Sequence, residues 1–335
     1  MKIGELGEFG LISRIASGLA DGNGVITGIG DDAAVTALSP GMQLLTSTDM
    51  LVEDVHFRRA WHDPYRLGRK SLAVSISDIA AMGGIPRWAL LSLAVPPETP
   101  LEFLDAFTRG FLAMAAEHGV ALIGGDTCSS RAGLTISVTI MGEQEPENII
   151  RRSGAHPDDD IWVTGTLGDA ALGLELLEKG KLPSPMTVEE QERLISRLLD
   201  PSPRSAAGRA LAEAGLVSAM IDVSDGLLAD FGHIAELSAL GGTIHLDALP
   251  LSPDFRTVLP SHPSSHPDLA LSGGEDYELA FTAPAANREK IVQLMKKCGI
   301  DARPVGIVTA SPEVTVLLAD GSTYAPQNKG YNHFT

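Results

Sequence analysis

Aspartates recur in this sequence beside small residues, at or near the ends of apolar runs, and this repetition limits what the chain can fold into. The first instance follows a short predicted buried strand, Leu44 to Thr46, whose polar exit contains Asp49. Strand ends present reactive side chains from a rigid scaffold, and hydroxyls beside carboxylates are ligands that Mg²⁺ prefers. One such loop is more often a solvated acidic turn, and it is the recurrence along the chain that indicates a site. The other positions are Asp31, Asp32, Asp78, Asp126, Asp222 and Asp225, and the first stretch adds Ser47, Thr48, Glu53, Asp54 and His56.

The glycines at Gly28 and Gly30 suggest a dinucleotide-binding turn, which the following residues argue against. The segment reads G-x-G-x-x-A, but a Rossmann unit needs a helix of several turns directly after the glycines, and Pro40 arrives too early for one. Two readings remain for this segment. It is an acidic turn without function, or a metal-binding turn whose glycines let the backbone approach the ion.

A helix is predicted over 64–82, with Asp63 as its N-cap. Ser71, Ser75 and Asp78 fall at helical spacing and form a stripe without Lys or Glu. Such a stripe would let a backbone or an ion come close. The alternative is an ordinary solvent-facing stripe, which the missing Lys and Glu make less attractive.

The pattern of strands and helices predicts an α+β fold. The chain has 335 residues, 44% of them hydrophobic, enough for two domains of ordinary size. A polar, proline-bearing stretch over 143–160 predicts the boundary, giving domains 1–150 and 151–335. Strands are predicted at 88–95, 120–123 (followed by a G-G-D-T turn), 134–141, 161–164, 219–223, 279–282, 305–308 and 314–318; helices are predicted over 8–20, from a capping box at Thr99 to His118, from Asp169, from a capping box at Thr187 to Leu199, and from Leu227.

The net charge of the chain limits which classes of binding partner are expected. The chain has 43 acidic and 25 basic residues, a formal net charge of −18. Nucleic acids and anionic membranes attract basic patches, so neither is expected. The first residues lack the apolar core of a signal peptide, and no run approaches the ~20 apolar residues of a membrane span. Two cysteines are too few for a disulfide framework, so a cytoplasmic enzyme or binding protein is expected.

The motifs of several common enzyme classes are missing from the sequence. It contains no P-loop, no G-x-S-x-G elbow, no H-E-x-x-H pair and no C-x-x-C. Clustered carboxylates repel one another and persist together when cations neutralise them. A carboxylate-held Mg²⁺ usually completes its shell with substrate phosphates. These residues therefore indicate Mg²⁺-dependent phosphoryl transfer outside the P-loop class, driven by positioning and charge neutralisation.

Ten short motifs follow one another along nearly the whole chain. They are G-E-F-G-L-I (7–12), G-I-G-D-D-A (28–33), S-T-D-M-L-V-E-D-V-H-F (47–57), S-D-I-A-A-M-G-G (77–84), G-G-D-T (124–127), R-S-G-A (152–155), V-T-G-T-L-G-D (163–169), D-V-S-D-G-L (222–227), G-G-E-D-Y-E-L (273–279) and G-Y-N-H-F (330–334). In this order they resemble the thiamine-monophosphate kinase family, within the superfamily of aminoimidazole-ribonucleotide synthetase-like ATP enzymes. The resemblance implies two α+β domains with helices packed on mixed sheets, and a homodimer formed by the N-terminal domains.

The resemblance also implies roles that residue spacing could not supply. It implies that the γ-phosphoryl group of ATP passes directly to thiamine monophosphate, with several Mg²⁺ ions and no protein nucleophile. Tyr331 stands where tryptophan is expected in the family, which bears on stacking against thiamine. The magnesium-binding positions are matched by Asp32, Ser47, Thr48, Asp49, Asp78, Asp126, Asp222 and Asp225, the ATP contacts by Gly125, Asp126, Arg152 and Ser224, and the thiamine monophosphate contacts by His56, Glu275 and Tyr331.

Two other readings of the function stay open. One is another ATP enzyme of the superfamily, selenophosphate synthetase-like or hydrogenase-maturation-like, although the terminal cysteines of those enzymes have no counterpart in Cys128 and Cys298. The other is a non-catalytic metal- or nucleotide-binding module. From its residues alone, the basic pair Arg151–Arg152 is as readily a surface pair as a phosphate contact.

Overall fold

The computed structural model describes Gly10, Arg14 and residues 22–179, 186–258 and 266–331. Apart from Gly10 and Arg14, the predicted helix over 8–20 lies outside the described residues. The chain divides into two compact units. The first comprises Met1–Ile79 and Gly84–Glu147, and the second comprises Ala80–Gly83 and Asn148–Thr335.

The first unit contains a two-stranded sheet and a four-stranded sheet. The larger sheet has the order β3-β6-β4-β5, in which only the β4–β5 pair is parallel. Its edges are therefore β3 and β5. The elements are β1 (Val25–Thr27), β2 (Val35–Thr36), β3 (Gln43–Val52), α1 (Pro64–Ala81), β4 (Ile85–Val95), α2 (Leu101–His118), β5 (Ala121–Ser129) and β6 (Thr135–Gln144).

Strand β3 is longer than predicted, and the expected polar exit after Thr46 is wrong. The strand continues to Val52 with side chains alternating between two faces. Leu45, Ser47, Asp49 and Leu51 are buried or half-buried on the inner face, and the alternate residues are exposed. Leu44, predicted to be buried, belongs to the exposed face. The reactive side chains are thus presented along a strand face rather than from a loop.

The ends of α1 follow local capping rules. The Asp63 carboxylate accepts the Arg66 N–H at 3.0 Å, which confirms the predicted N-cap. At the other end Gly83 has a φ of 71°, and the Gly84 N–H donates to the Ile79 carbonyl at 2.8 Å. This is a glycine-terminated helix end of the Schellman type. The helix itself ends at Ala81, one residue before the predicted limit.

Two predictions in the following segment are wrong. Helix α2 begins after Pro100, and the Thr99 hydroxyl is buried without a hydrogen-bond partner among the described residues, so there is no capping box. The glycines after the predicted strand 120–123 make no turn, because β5 runs on to Ser129. Gly125 has a φ of 155°, and a Cβ there would lie 1.8 Å from the Leu91 carbonyl oxygen. Glycine is needed at this position for close approach of two strands, not for reversal of the chain.

The second unit is built on a seven-stranded mixed sheet. Its order is β13-β12-β9-β11-β7-β10-β8, and only β12 and β9 run parallel. The predicted strand over 219–223 and the capping box at Thr187 are both confirmed. The elements are β7 (Asp159–Thr164), α3 (Asp169–Lys179), α4 (Val188–Leu199), α5 (Ser205–Glu213), β8 (Ala219–Val223), α6 (Leu227–Leu237), β9 (Gly241–His245), α7 (Pro253–Val258), α8 (His266–Ser272), β10 (Glu278–Pro284), α9 (Arg288–Lys297), β11 (Ala302–Thr309), β12 (Val314–Leu317) and β13 (Thr323–Tyr324).

Helices cover both faces of this sheet. Val163 of β7 joins an apolar cluster with Phe231 of α6. Its neighbour Trp162 joins a second cluster with Phe281 of β10 and Ile291 of α9. Consecutive strand residues point to opposite faces, so both faces of β7 carry a core. The predicted α+β class with mixed sheets is confirmed. Among helices in the described ranges, none has the length and apolarity needed to cross a membrane.

Candidate functional site

Two acidic side chains of the first unit meet between β3 and α1. The Ser75 hydroxyl donates to the Asp49 carboxylate at 2.6 Å, and the Ser47 hydroxyl donates to Asp78. Burial, reinforced by the charge of Asp78, raises the pKa of Asp49 to about 6, against the opposing effect of the Ser75 hydrogen bond. We call these four residues the strand–helix cluster. Ser75, one of the serines of the predicted small-residue stripe, is therefore hydrogen-bonded directly to a carboxylate.

The strand–helix cluster fits a hard divalent cation that takes further ligands from outside the protein. Its donors are carboxylate and hydroxyl oxygens, the types that Mg²⁺ prefers. Burial first, and then the nearby charge of Asp78, disfavour the negative charge of Asp49, which is why its pKa is raised. Within the described ranges, no group of three or more His, Cys, Asp or Glu side chains is arranged to hold a metal by itself. Substrate phosphates and water would therefore have to supply the remaining ligands.

Other predicted metal positions of the first unit are exposed, unlike the buried and half-buried residues of this cluster. The Thr48 hydroxyl, on the exposed face of β3, lies 3.1 Å from the Thr139 hydroxyl. Asp32 is exposed in the turn after β1. Asp126 is exposed on β5, and the strand pairings place it on the same sheet face as Met50, opposite Asp49. One sheet therefore does not bring Asp49 and Asp126 together.

His56 lies just beyond β3 in a loop fixed by internal bonds. Its Nδ1 accepts the Val52 N–H at 3.0 Å. The Glu53 carboxylate accepts from Arg59 Nε and from the Leu134 N–H, both at 2.7 Å. Burial acts to raise the pKa of Glu53, but these bonds outweigh it and the pKa is lowered. Glu53 therefore holds the loop in place, and His56 remains the candidate for contact with substrate.

In the second unit, the turn between β8 and α6 joins several predicted site residues through its backbone. This turn comprises Ser224, Asp225 and Gly226, and we refer to it as the 224–226 turn. The Ser224 carbonyl accepts the Glu275 N–H at 2.7 Å, and the Asp225 carbonyl accepts the Tyr331 N–H at 3.0 Å. Asp222 is buried in β8, one residue before the end of the strand. The structure thus brings together the positions predicted for ATP, metal and thiamine monophosphate in this unit.

A carboxylate that the sequence analysis missed supports this turn from within. Asp230 Oδ2 accepts the N–H groups of Ser224 and Asp225 at 3.0 Å and that of Gly226 at 3.1 Å. Burial, followed by the charge of Asp222, raises the pKa of Asp230 to about 8. The signal in the sequence was an aspartate in the first turn of a helix that follows a glycine turn.

The segment that carries Glu275 has an unusual backbone. Glu275 has a φ of 72° and Tyr277 a φ of 49°, values that non-glycine residues rarely adopt. Between them, the buried Asp276 accepts the Gly168 N–H at 2.7 Å. Burial is the main cause that raises the pKa of Asp276 to about 8. Strained residues held by a buried anchor are common at binding sites.

Two remaining predicted residues are exposed. Arg152 lies next to Arg151, whose carbonyl accepts the Met220 N–H of β8 at 3.0 Å, so the backbone before Arg152 is fixed while its side chain is exposed. Tyr331 is 52% exposed. A residue held by its backbone N–H, with half of its surface exposed to solvent, is suited to contact a flat ligand.

Comparisons with known proteins agree on one family. The AIR synthase related protein N-terminal domain matches residues 30–144, and the C-terminal domain matches residues 156–319. Thiamine-monophosphate kinase of Salmonella typhimurium is 40% identical over 98% of both chains. Thiamine-monophosphate kinase from Stenotrophomonas maltophilia has a similar structure, with a TM-score of 0.81 and 39% identity over 94% of this chain and 95% of that one. AaThiL, solved in complex with AMPPCP and TMP, has a TM-score of 0.77 and 32% identity over 100% of this chain and 99% of that one.

Proposed function

The chain belongs to the thiamine-monophosphate kinase family, built on the two AIR synthase related domains, and we propose that it transfers the γ-phosphoryl group of ATP to thiamine monophosphate. An acceptor phosphate oxygen forms a new bond to the γ-phosphorus, and the bond from that phosphorus to the β-phosphate oxygen breaks. The products are thiamine diphosphate and ADP. The observation that carries the proposal is the full-length likeness to a protein solved with AMPPCP and TMP.

We propose that several Mg²⁺ ions serve this reaction. When bound, Mg²⁺ neutralises phosphate charge and stabilises the charge that develops during transfer. The strand–helix cluster supports the proposal, because its carboxylates repel each other unless a cation lies between them. Thr48 is proposed as a ligand through its backbone alone, since its hydroxyl contacts the Thr139 hydroxyl. The proposed ligands are Asp32, Ser47, Thr48, Asp49, Asp78, Asp126, Asp222 and Asp225.

The remaining proposed residues bind and orient the two substrates. For ATP they are Gly125, Asp126, Arg152 and Ser224; for thiamine monophosphate they are His56, Glu275 and Tyr331. The exposed guanidinium of Arg152 can donate two hydrogen bonds to one phosphate. The Tyr331 ring offers a face to the thiamine pyrimidine. No protein nucleophile is needed, because transfer between two phosphates requires positioning and charge stabilisation.

We propose that the working form is a homodimer. Strand β3 is a ten-residue edge strand, and its outer face exposes Leu44 and Met50. Exposed edges with apolar side chains and without Lys or Pro favour pairing with another chain. Asp49 and Asp126 lie on opposite edges of one sheet, three strand spacings or about 14 Å apart. A second copy could bring its own Asp126 to the Asp49 of the first.

Two inactive variants test whether Asp126 acts across the dimer. We would co-express Asp49→Asn and Asp126→Asn subunits with different tags and purify the mixed dimer. If the two residues serve one site from different subunits, one site per mixed dimer is intact and activity returns. If they serve one site within the same subunit, both sites stay damaged. A monomeric mass by light scattering would contradict the dimer itself.

The reaction is tested by measuring both products with purified protein. With Mg²⁺, ATP and thiamine monophosphate, equal amounts of ADP and thiamine diphosphate should form. Replacing thiamine monophosphate by thiamine should stop ADP release. ADP formation that ignores the acceptor would favour another ATP enzyme of the superfamily, and absence of ADP would favour a non-catalytic binding module. Because ATP is an intracellular substrate, we also propose that the enzyme works in the cytoplasm.

A further inference from the structure

We propose that Asp230 is the positioning residue of this enzyme, aligning its nucleotide-binding and acceptor-binding segments through the backbone of the 224–226 turn. The inference rests on the proposed function for the identity of the substrates. Its structural basis is independent, because it uses only hydrogen bonds of the second unit. No contact between Asp230 and substrate is required.

The backbone N–H groups on one side of the turn are all bonded to Asp230. Three consecutive N–H groups, from Ser224 to Gly226, converge on one oxygen, Asp230 Oδ2, at 3.0 to 3.1 Å. Three successive donors directed at one point form a concave anion-binding arrangement. Here the protein fills it with its own buried carboxylate. The same three N–H groups are therefore occupied, and the turn is held in one conformation rather than open to an external anion.

Two carbonyl groups of the same turn hold other residues of the proposed site. They accept from the N–H groups of Glu275 and Tyr331, at 2.7 and 3.0 Å. One side of the turn thus faces Asp230, and the other side holds both residues proposed for thiamine monophosphate. Ser224, proposed for ATP, lies within the turn itself. A shift of the turn would move all three residues together.

Close packing leaves the turn little room to change its conformation. Gly226 has a φ of 110°, and a Cβ there would lie 2.6 Å from the Ser272 carbonyl carbon. A Cβ at Gly330, beside Tyr331, would lie 2.4 Å from the Ala229 Cβ. The turn and the segment before Tyr331 are thus packed closely against their neighbours. When the Asp230 side chain is removed, the turn therefore has little room to find another conformation that keeps the site in place.

The test compares Asp230→Ala with Asp230→Asn. The amide of Asn keeps one carbonyl oxygen that can accept all three N–H groups, whereas Ala leaves them without an acceptor. If Asp230 positions the turn, Asp230→Ala should lower kcat/KM on the order of ten- to a hundred-fold, the usual effect of losing a supporting residue. The KM values of both substrates should rise together. Asp230→Asn should recover most of the loss.

A matched control separates positioning from general loss of stability. Asp160 is equally buried and is bonded to Arg288 through both of its oxygens, at 2.6 Å each. It lies opposite Ala283, toward the far end of β10 from the 224–226 turn. Asp160→Ala should lower the melting temperature with little change in either KM. Equal kinetics for Asp160→Ala and Asp230→Ala, compared well below their melting temperatures, would overturn the proposal.

The Asn variant also distinguishes a positioning role from metal binding. A metal ligand works through its negative charge, so Asp230→Asn would then lose as much activity as Asp230→Ala, and that result contradicts the proposal. Hydrogen exchange gives a readout that does not depend on activity. Amides over 224–226 and 273–277 should lose protection in Asp230→Ala, and should keep it in Asp160→Ala and Asp230→Asn. An inactive wild-type protein would refute the proposed function, while the exchange result would still decide the role of Asp230.

Discussion

The strand–helix cluster and the 224–226 turn are both acidic, but they are organised in opposite ways. In the cluster, the carboxylates of Asp49 and Asp78 lie close together, each bonded to a serine hydroxyl. In the turn, the backbone makes the connections, and the carboxylate of Asp230 is enclosed by N–H groups. The first arrangement leaves carboxylate charge for a ligand to neutralise. In the second, three N–H groups already bond one carboxylate oxygen, although burial and the charge of Asp222 still raise the pKa of Asp230. An acidic side chain can therefore be either a binding group or a support, and its hydrogen-bond partners tell which.

The largest expected effect comes from the strand–helix cluster. Asp49→Asn or Asp78→Asn should lower turnover on the order of a hundred-fold or more, because phosphoryl transfer depends on metal-bound charge neutralisation. Folding should survive, since removing one member of a repelling pair relieves repulsion. Steady-state kinetics across a Mg²⁺ titration measure the effect. Asp54→Asn is the control, because Asp54 is exposed and Asn tolerates its φ of 66°. Full activity in EDTA would contradict the metal requirement.

The next effect concerns the exposed arginine pair. A hydrogen bond to a charged group is worth about 1.5–3 kcal/mol, so Arg152→Ala should raise the KM for ATP roughly ten- to a hundred-fold. Arg152→Lys should recover only part of this, because Lys lacks the planar fork. The KM for thiamine monophosphate should change little. Arg151→Ala serves as the neighbouring control, and an unchanged ATP dependence in Arg152→Ala would leave Arg152 as a surface residue.

A smaller effect is expected at Tyr331. Stacking on a flat base contributes about 1–3 kcal/mol in nucleic-acid complexes, and 1.4 kcal/mol is about ten-fold in affinity. Tyr331→Ala should therefore weaken binding of thiamine monophosphate roughly ten-fold, with ATP affinity nearly intact. Tyr331→Trp should retain or strengthen it. Calorimetric titration with each substrate measures both, with Tyr65→Ala, another exposed tyrosine, as the control. Equal losses for the two substrates would assign Tyr331 to surface packing.

The last effect is on stability as a function of pH rather than on substrate binding. Burial and the charge of Asp78 raise the pKa of Asp49 to about 6, so the folded protein holds this proton more tightly than the unfolded chain does. Stability from this group is therefore present below about pH 4 and is lost as the pH rises through 6. The loss is about 1–3 kcal/mol after allowing for partial exposure.

Melting curves in EDTA at pH 5 and pH 8 isolate this contribution. The wild type should lose more stability than Asp49→Asn between the two values, and Mg²⁺ at pH 8 should restore more to the wild type. Other titrating carboxylates are common to both proteins and cancel in the difference. Identical pH profiles would mean that neither burial nor the charge of Asp78 raises the pKa of Asp49 in the folded protein.

The sequence predicted those features whose cause is local. The caps at Asp63 and Thr187 were predicted correctly because a cap depends on residues three positions apart. The resemblance to known motifs predicted the family and the two-domain α+β fold. Around the 224–226 turn, the recurrence of aspartates beside small residues pointed to Asp222 and Asp225, whereas Ser224 came from the resemblance. These predictions needed no knowledge of which distant residues meet.

The features that depend on distant contacts could not be predicted in this way. Gly125 suggested a turn, but it is glycine because the Leu91 backbone passes close by. The polar residues after Thr46 suggested a loop, but alternation along β3 keeps them in a strand. Asp230 gave no signal beyond its place in a helix, because its role arises only when three N–H groups converge on it.

The central claim is that this chain moves a phosphoryl group directly from ATP to thiamine monophosphate without a protein intermediate. The most direct measurement uses ATP labelled with ³²P at the γ-position, with Mg²⁺ and unlabelled thiamine monophosphate, followed by separation of protein, nucleotide and thiamine products. The label should appear in the terminal phosphate of thiamine diphosphate, in step with ADP formation, and none should remain on the protein after denaturation. Label on the protein, or label found only in inorganic phosphate, would contradict the account.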